Sequence, residues 1–399
     1  MAISVHGRKR KTYDIKKLVI MKKKIAVVTF HRANNYGATL QAYALTFKLN
    51  QMGADAELLD YRAPVIEKLF HNFMPLTKSL KGIWVFLHHR FIRDASTYQA
   101  FASFRREVMQ ISSHSYRTSD ELASTEKDYD KFVAGSDQIW NPDIFSESKL
   151  NQDYTYMLNF VQNRQKKCSY AASIGISELS ADKSAKYSKY LSDFSQLSVR
   201  EHKAVEMLES LLSRDILAVC DPVLLLNPLE WRRVEKPVNI PNKEYILVYS
   251  VGGGKTLLSY ADELAKKEQC AVYTIQPPVV ATASNNRKQL LTGIGPAEFL
   301  WLIRNARAVI TSSFHGTAFS LLFQRPLHVV QETKKQSGNR NSRFDSLFRY
   351  FSIKDSQLEE KNCSAGRVIS IAPPQHNNEA LSISKSESLD FLSRIISEQ

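Results

Sequence analysis

"IAVVTFHRANNYGATLQAYALTFKLNQMGADAELL", residues 25–59, decides the fold. Residues 25–30 form an apolar run of strand length. Residues 38–52 carry apolar positions at helical spacing and stop at Gly53, and 56–59 is a second short apolar run. Strand, helix and strand in that order open a βαβ unit, the pattern of a parallel sheet with helices packed on its faces.

Working outward, residues 64–128 are less regular, with apolar and basic stretches that read as a helical insertion. Strands resume at 131–134, 168–172, 197–199 and 216–219. The polar, proline-punctuated stretch 220–242 reads as a passage between domains. A second alternation follows: strands at 245–251, 271–275, 308–311 and 327–330, helices at 256–267, 296–307 and 316–323, and a last helix at 382–397. The expected organisation is a disordered extension (1–20), a Rossmann-like domain (21–228) with the insertion at about 64–128, and a second Rossmann-like domain (229–350). A tail (351–399) has a helix crossing back onto the first domain. Two α/β units in series imply a central cleft at the carboxyl ends of their strands.

The chain of 399 residues is long enough for two domains, and 43% hydrophobic residues fit an ordinary globular protein. No run reaches the ~18 apolar residues of a membrane span. A net charge of +14 admits anionic substrates, nucleic acid or an acidic membrane surface. Part of it is local, since residues 1–20 hold six Lys and Arg against Asp14. That segment has no apolar h-region and so is no secretory signal, and Met21 reads as a second translation start. Its charge alone is thin support for nucleic-acid binding, and none is expected. Four separated cysteines without a CxxC pair point to neither a zinc site nor a disulfide framework, and to a reducing, cytoplasmic setting.

The unusual polar clusters each follow a predicted strand, and in an open parallel sheet such positions gather at one edge. In "ITSSFHGTAFSLLFQRP" (310–326), Ser312 or Ser313 is placed to cap a helix, and His315 stands at its start, where backbone amides suit an anion. "NNYGATLQAYAL" sets Asn34, Asn35 and Gly37 before a helix, as a ligand loop or as a plain cap. "GSDQIWNP" (135–142) offers Asp137, Gln138 and Trp140 to hold a sugar, or else is a turn anchored by a core tryptophan. In "SVRE" (198–201), Arg200 suits a carboxylate or phosphate, with Glu201 orienting it or acting as a base; a structural ion pair is the alternative. "CDP" (220–222) also follows a strand. "VGGGKT" (251–256) fails as a phosphate loop because Tyr249 stands where GxxxxGK[ST] needs glycine.

The ordered series "TFHRANNYGATLQAYAL", "FVAGSDQIWNP", "SYAASIG", "LSVRE", "CDPVLLL", "YILVYSV" and "TSSFHGTAFSLLFQRP" resembles the polysaccharide pyruvyl transferase family over most of residues 24–350. The resemblance implies two Rossmann-like domains arranged as in GT-B glycosyltransferases. It also implies transfer of pyruvate from phosphoenolpyruvate to saccharide hydroxyls as a ketal, in surface or exopolysaccharide biosynthesis, with no further cofactor and no metal. Arg200 matches the family's donor-binding arginine and His315 its motif histidine, with Glu201 beside them; Asp137, Gln138 and Trp140 are then assigned to a nucleotide- or lipid-linked saccharide acceptor, which brings peripheral contact with a membrane surface. Several relatives carry arginine two positions before the motif histidine, where this chain has Ser313. Arg340, Arg343 or the amides of Gly316 and Thr317 are the expected substitutes, with Asn35 and Gly37 also on the donor side. A nucleotide-sugar glycosyltransferase and a non-catalytic saccharide-binding relative are the competing readings.

Overall fold

The computed structural model describes residues 22–64, 66–67, 95–147, 153–176, 178–250, 255–275, 290–331, 342–354, 358–363, 366–372 and 379–398. The extension at 1–20, Met21, part of the expected insertion (65 and 68–94), the glycine loop 251–254 and Arg340 lie outside them.

The first sheet is built from β1 (Lys24–Val28), β2 (Asp55–Tyr61), β3 (Ile111–Tyr116), β4 (Lys131–Ala134) and β5 (Lys167–Ser169) in the order β3-β2-β1-β4-β5, all parallel. Isolated parallel bridges Cys168–Gln196 and Ala172–Val199 carry it on to a small pair, β6 (Ser198–Val199) and β7 (Leu217–Ala218). The order reverses between β1 and β4. The loops leaving those two strands therefore flank a crevice at the carboxyl edge.

The second sheet holds β8 (Tyr245–Tyr249), β9 (Ala271–Ile275), β10 (Ala308–Thr311), β11 (Leu327–Gln331), β12 (Leu358–Cys363) and β13 (Gly366–Ile371) in the order β12-β13-β11-β10-β8-β9. Its strands from β8 to β11 are parallel, while β13 runs antiparallel to both β11 and β12. The plan is two Rossmann-like α/β units, GT-B-like as expected. Two features differ from the sequence reading: Ile111–Tyr116, expected within a helical insertion, is an edge strand, and the tail adds the β12–β13 hairpin. Ile111–Tyr116 and β12 are polar segments whose pairing makes them strands, while β13 buries Val368, Ile369 and Ile371 in the core.

The longer helices are α1 (Tyr36–Gln51), α2 (Ala95–Val108), α3 (Ala181–Leu191), α4 (His202–Leu212), α5 (Lys255–Glu268), α6 (Pro296–Asn305), α7 (Phe314–Leu322), α8 (Ser342–Tyr350) and α9 (Glu379–Ser397). Helix α1 was expected to be amphipathic; instead 13 of its 16 residues are buried, because it lies between the first sheet and the second unit. The Asn35 side chain caps it by accepting the Ala38 N–H at 3.2 Å, and Gly53, at φ +101°, turns the chain out of it. Across the junction the Tyr36 ring stacks on Phe299 with centroids 4.5 Å apart, meets Tyr249 edge-on at 5.5 Å, and its hydroxyl donates to the Ile294 carbonyl at 2.9 Å. Aromatic pairs of this kind contribute about 0.5–1.5 kcal/mol beyond area burial. Helix α9 spans the two units, with Phe391 against Tyr170 beside β5 and the Ser388 hydroxyl accepting the Cys220 N–H at 3.0 Å. No helix among the described residues is long and apolar enough to cross a membrane.

Candidate functional site

The carboxyl edges of both sheets meet at His315. Strand β10 is wholly buried; Thr311 at its end donates its hydroxyl to the Tyr249 carbonyl at 2.7 Å and accepts the Ser313 N–H at 3.0 Å. That turn starts α7, with Ser313 as its cap, and puts the imidazole of His315 against Gly37 in the first turn of α1. A β-carbon at Gly37 would lie 2.0 Å from His315 Nδ1, so glycine is what allows the two helix starts to approach.

On its other edge, His315 Nε2 lies 3.5 Å from Asp221 Oδ2. Asp221 is fully buried and already holds three groups: Arg200 Nη1 at 2.8 Å, the Ser136 hydroxyl at 3.3 Å, and the Val223 N–H at 3.1 Å as the cap of the short helix Pro222–Leu225. Burial by itself would raise the Asp221 pKa. The nearby His315 and Arg200 outweigh it and hold the carboxyl well below its ordinary range, so Asp221 is ionised.

Arg200 is 1% exposed. Its Nη2 donates to the Ser173 hydroxyl at 3.0 Å and lies 3.4 Å from Glu201 Oε1, an oxygen that also accepts from Ser173. The guanidinium rests 4.3 Å above the Phe314 ring. Burial lowers the Arg200 pKa, but Glu201, Asp221 and Asp137 together more than reverse that, so the charge is locked on. Tyr350, from α8, is buried beside this group, its pKa raised by burial and by its closeness to Cys220 and Glu201. The arrangement gives a histidine able to exchange a proton, a fixed carboxylate as counter-charge for its cationic form, and a buried arginine that fixes the carboxylate.

Arg200, expected to anchor the donor, is buried and paired with both Asp221 and Glu201. The Gly316 N–H is taken by the Ser313 hydroxyl at 3.3 Å and the Thr317 N–H by the Ser313 carbonyl at 3.0 Å, so Ser313, Gly316 and Thr317 close their own helix turn. Asn35 is likewise a cap. Trp140 is 0% exposed, donates its indole N–H to the Tyr156 carbonyl at 2.8 Å and packs edge-on against Phe194, so it is a core anchor and offers no face to a sugar. Asp137 and Gln138 stay half-buried at the crevice, Asp137 in the left-handed region at φ +64° and Gln138 accepting from Asn141 at 2.6 Å. Glu201 lies in the cluster as expected. Arg343 is half-buried in the first turn of α8, which packs on α7 and α4.

Asp221 was not among the expected site residues. Its signal was the "CDP" after a predicted strand, one of the polar clusters at the sheet edge.

No curated protein matches the chain. Solved structures similar to it include the UDP-N-acetylglucosamine 2-epimerase from Rickettsia bellii, at 12% identity over 94% of this chain and 97% of that one with a TM-score of 0.44. The Neisseria meningitidis UDP-GlcNAc 2-epimerase bound to UDP-GlcNAc is similar at 12% identity over 95% of each chain (TM-score 0.43). The spinosyn rhamnosyltransferase SpnG gives 12% identity over 93% of this chain and 91% of that one (TM-score 0.38). Scores this low carry no argument about the reaction. A model of one family, described as polysaccharide pyruvyl transferase, matches residues 35–331, a span that includes Gly37, Asp137, Arg200, Asp221 and His315, and the chain belongs to that family.

Proposed function

We propose that the protein transfers the pyruvyl group of phosphoenolpyruvate to two hydroxyls of a nucleotide- or lipid-linked saccharide, forming a ketal during surface or exopolysaccharide synthesis. The donor's methylene carbon takes a proton and becomes the methyl group; one sugar hydroxyl adds to the carboxyl-bearing carbon. The C–O bond to phosphate then breaks and the second hydroxyl closes the ring. The two hydroxyl protons balance the one taken up by carbon and the one leaving with phosphate.

The observation that carries this reading is His315 set between Gly37 and the ionised Asp221 where the sheet edges meet. His315 serves as the proton carrier, Asp221 orients it and balances its cationic form, and Arg200 with Glu201 and Ser173 positions Asp221. With Arg200 sealed inside, we assign the donor's charge to Arg343. It lies seven residues before Tyr350 on α8, hence on the same helix face and roughly 10.5 Å along it. Asp137 and Gln138 orient acceptor hydroxyls. A lipid-linked acceptor would bring the protein to a membrane surface; the setting we assign is cytoplasmic, consistent with the free thiols of Cys168 and Cys220, both buried and with pKa pushed up to about 11 by burial.

The test is incubation with phosphoenolpyruvate and a panel of nucleotide- and lipid-linked saccharides, reading phosphate release and the ketal methyl signal by NMR. His315→Ala is expected to lower kcat by about 10²–10⁴-fold while phosphoenolpyruvate still binds. Turnover that survives His315→Ala, or product without a ketal methyl, would remove this reading.

A further inference from the structure

A second charged centre lies on the same β1–α1 loop, beside the His315 site but separate from it. At the end of β2, Asp60 is buried and takes Arg32 through a two-pronged contact, Nε to Oδ1 at 2.6 Å and Nη2 to Oδ2 at 2.5 Å. It also accepts from the Ser115 hydroxyl, faces His31 Nε2 at 3.3 Å and lies 3.6 Å from Arg62 Nε. From α2, Arg105 donates Nη2 to Asn34 Oδ1 at 2.9 Å. Arg105 is only 7% exposed, and its buried Nη1 has no hydrogen-bond partner among the described residues; nor has the buried Nε of Arg62.

Two guanidiniums thus pair with one carboxylate, and a third, Arg105, stands close enough to feel the charges of Arg32, Asp60 and Arg62. Burial lowers the His31 pKa, which leaves that ring neutral and adds no further cation. The Arg105 pKa is pushed down to about 10, by burial and then by the repulsion of Arg32, but stays high enough to keep its charge. A buried donor on a charged group is costly to leave unsatisfied, and an anion would offset that cost. Access is from the rim, where the side chains of Arg32 and Arg62 are 23% and 35% exposed. Arginine forks match phosphate oxygens in pairs.

The location narrows the ligand. Arg32 and Gly37 are five residues apart on one loop, so their backbones are at most about 18 Å apart, and Gly37 touches His315. A sugar at His315 and the diphosphate attached to it can bridge that span. We propose that Arg32, Arg62 and Arg105 form the subsite for the diphosphate of the activated saccharide acceptor. This rests on the pyruvyl-transfer reading for the identity of the acceptor, though the anion site itself stands on the geometry above.

The experiment is calorimetric titration of the full chain with inorganic pyrophosphate, UDP, farnesyl diphosphate and, separately, phosphoenolpyruvate. The variants are Arg62→Gln, Arg32→Gln/Arg62→Gln and the charge-preserving Arg62→Lys, each checked for a cooperative melt above the titration temperature. Expected is pyrophosphate affinity at least 10-fold weaker in the Gln variants, within 3-fold of the parent in Arg62→Lys, and phosphoenolpyruvate affinity unchanged in all. UDP binding tighter than farnesyl diphosphate marks the nucleotide-linked source, the reverse order the lipid-linked one, and either supports the subsite. Unchanged pyrophosphate affinity in the double variant overturns it, as does a phosphoenolpyruvate affinity that falls in parallel, which would make this the donor's site. If phosphoenolpyruvate fails to bind while pyrophosphate behaves as expected, the pyruvyl-transfer reading fails and the anion site stands.

Discussion

Asp221 and Asp60 are both buried carboxylates held far below their ordinary pKa range, yet their surroundings are opposite in charge balance. Around Asp221 one arginine answers two carboxylates, all of them buried, with Arg200 Nε, Glu201 Oε2 and His315 Nε2 left without a hydrogen-bond partner among the described residues. Around Asp60 two arginines that reach the surface pair with one carboxylate, and the buried Arg105 adds a third positive charge beside them. The first centre carries a surplus of negative charge and is closed off from solvent. The second has, among the described residues, a surplus of positive charge that an anion from outside would balance.

The sharpest way to break that contrast is Asp221→Ala. It strands the buried Arg200 with Glu201 alone, and loss of one member of a buried ion cluster costs about 3–5 kcal/mol; urea denaturation would read it as a fall in midpoint. A loss below 1 kcal/mol would mean that Asp221 does not balance Arg200. Next comes Gly37→Ala, whose methyl group meets His315 Nδ1 at 2.0 Å. Overpacking of this kind costs about 1–3 kcal/mol, and a displaced imidazole should lower kcat about 10²-fold once an activity is in hand.

Acid titration separates the two centres by pH window, because only the Asp60 centre holds a histidine with a lowered pKa. The His31 pKa in the fold is below 6.5, so its contribution is present above pH 6.5 and fades as pH falls below that value. Asp60 and Asp221 are also lowered, so theirs is intact above about pH 4 and lost below it. Stability measured against pH should therefore decline gently from 6.5 and steeply below 4, and His31→Gln should flatten only the upper limb. Smallest of all, Arg62→Gln should change stability by no more than about 0.5 kcal/mol, because it removes a long contact to Asp60 and a repulsion with Arg105 together. A large loss would show that Arg62 is structural.

Legibility from sequence follows locality. Residues 131–134, 271–275 and 308–311 coincide with observed strands because short apolar runs bounded by turn residues are local signals. "ISSHSY" carries no such run; it becomes β3 only because β2 offers it an edge. His315, Gly37 and Arg200 were legible as post-strand residues. Asp221 escaped because Asp-Pro also reads as a simple helix cap, which it is, and its second task depends on partners 21 and 94 positions away. Trp140 was misplaced for the reverse reason, since composition shows an indole at the crevice but not that its ring turns inward. The arginine centre was invisible, because Arg32, Arg62 and Arg105 meet only once β2 lies beside β1 and α2 covers them.

The support that α9 gives to the Asp221 turn sets an order of assembly. Cys220, next to Asp221, directs its N–H at Ser388, 168 residues later in the chain. At ribosomal speeds of about 5–20 residues per second, that partner emerges roughly 8–34 s after Cys220 itself. The first sheet can pair its strands in that interval, while the turn that aims Asp221 at His315 gains this last bond when α9 docks. A nascent chain therefore acquires its fold before its chemistry.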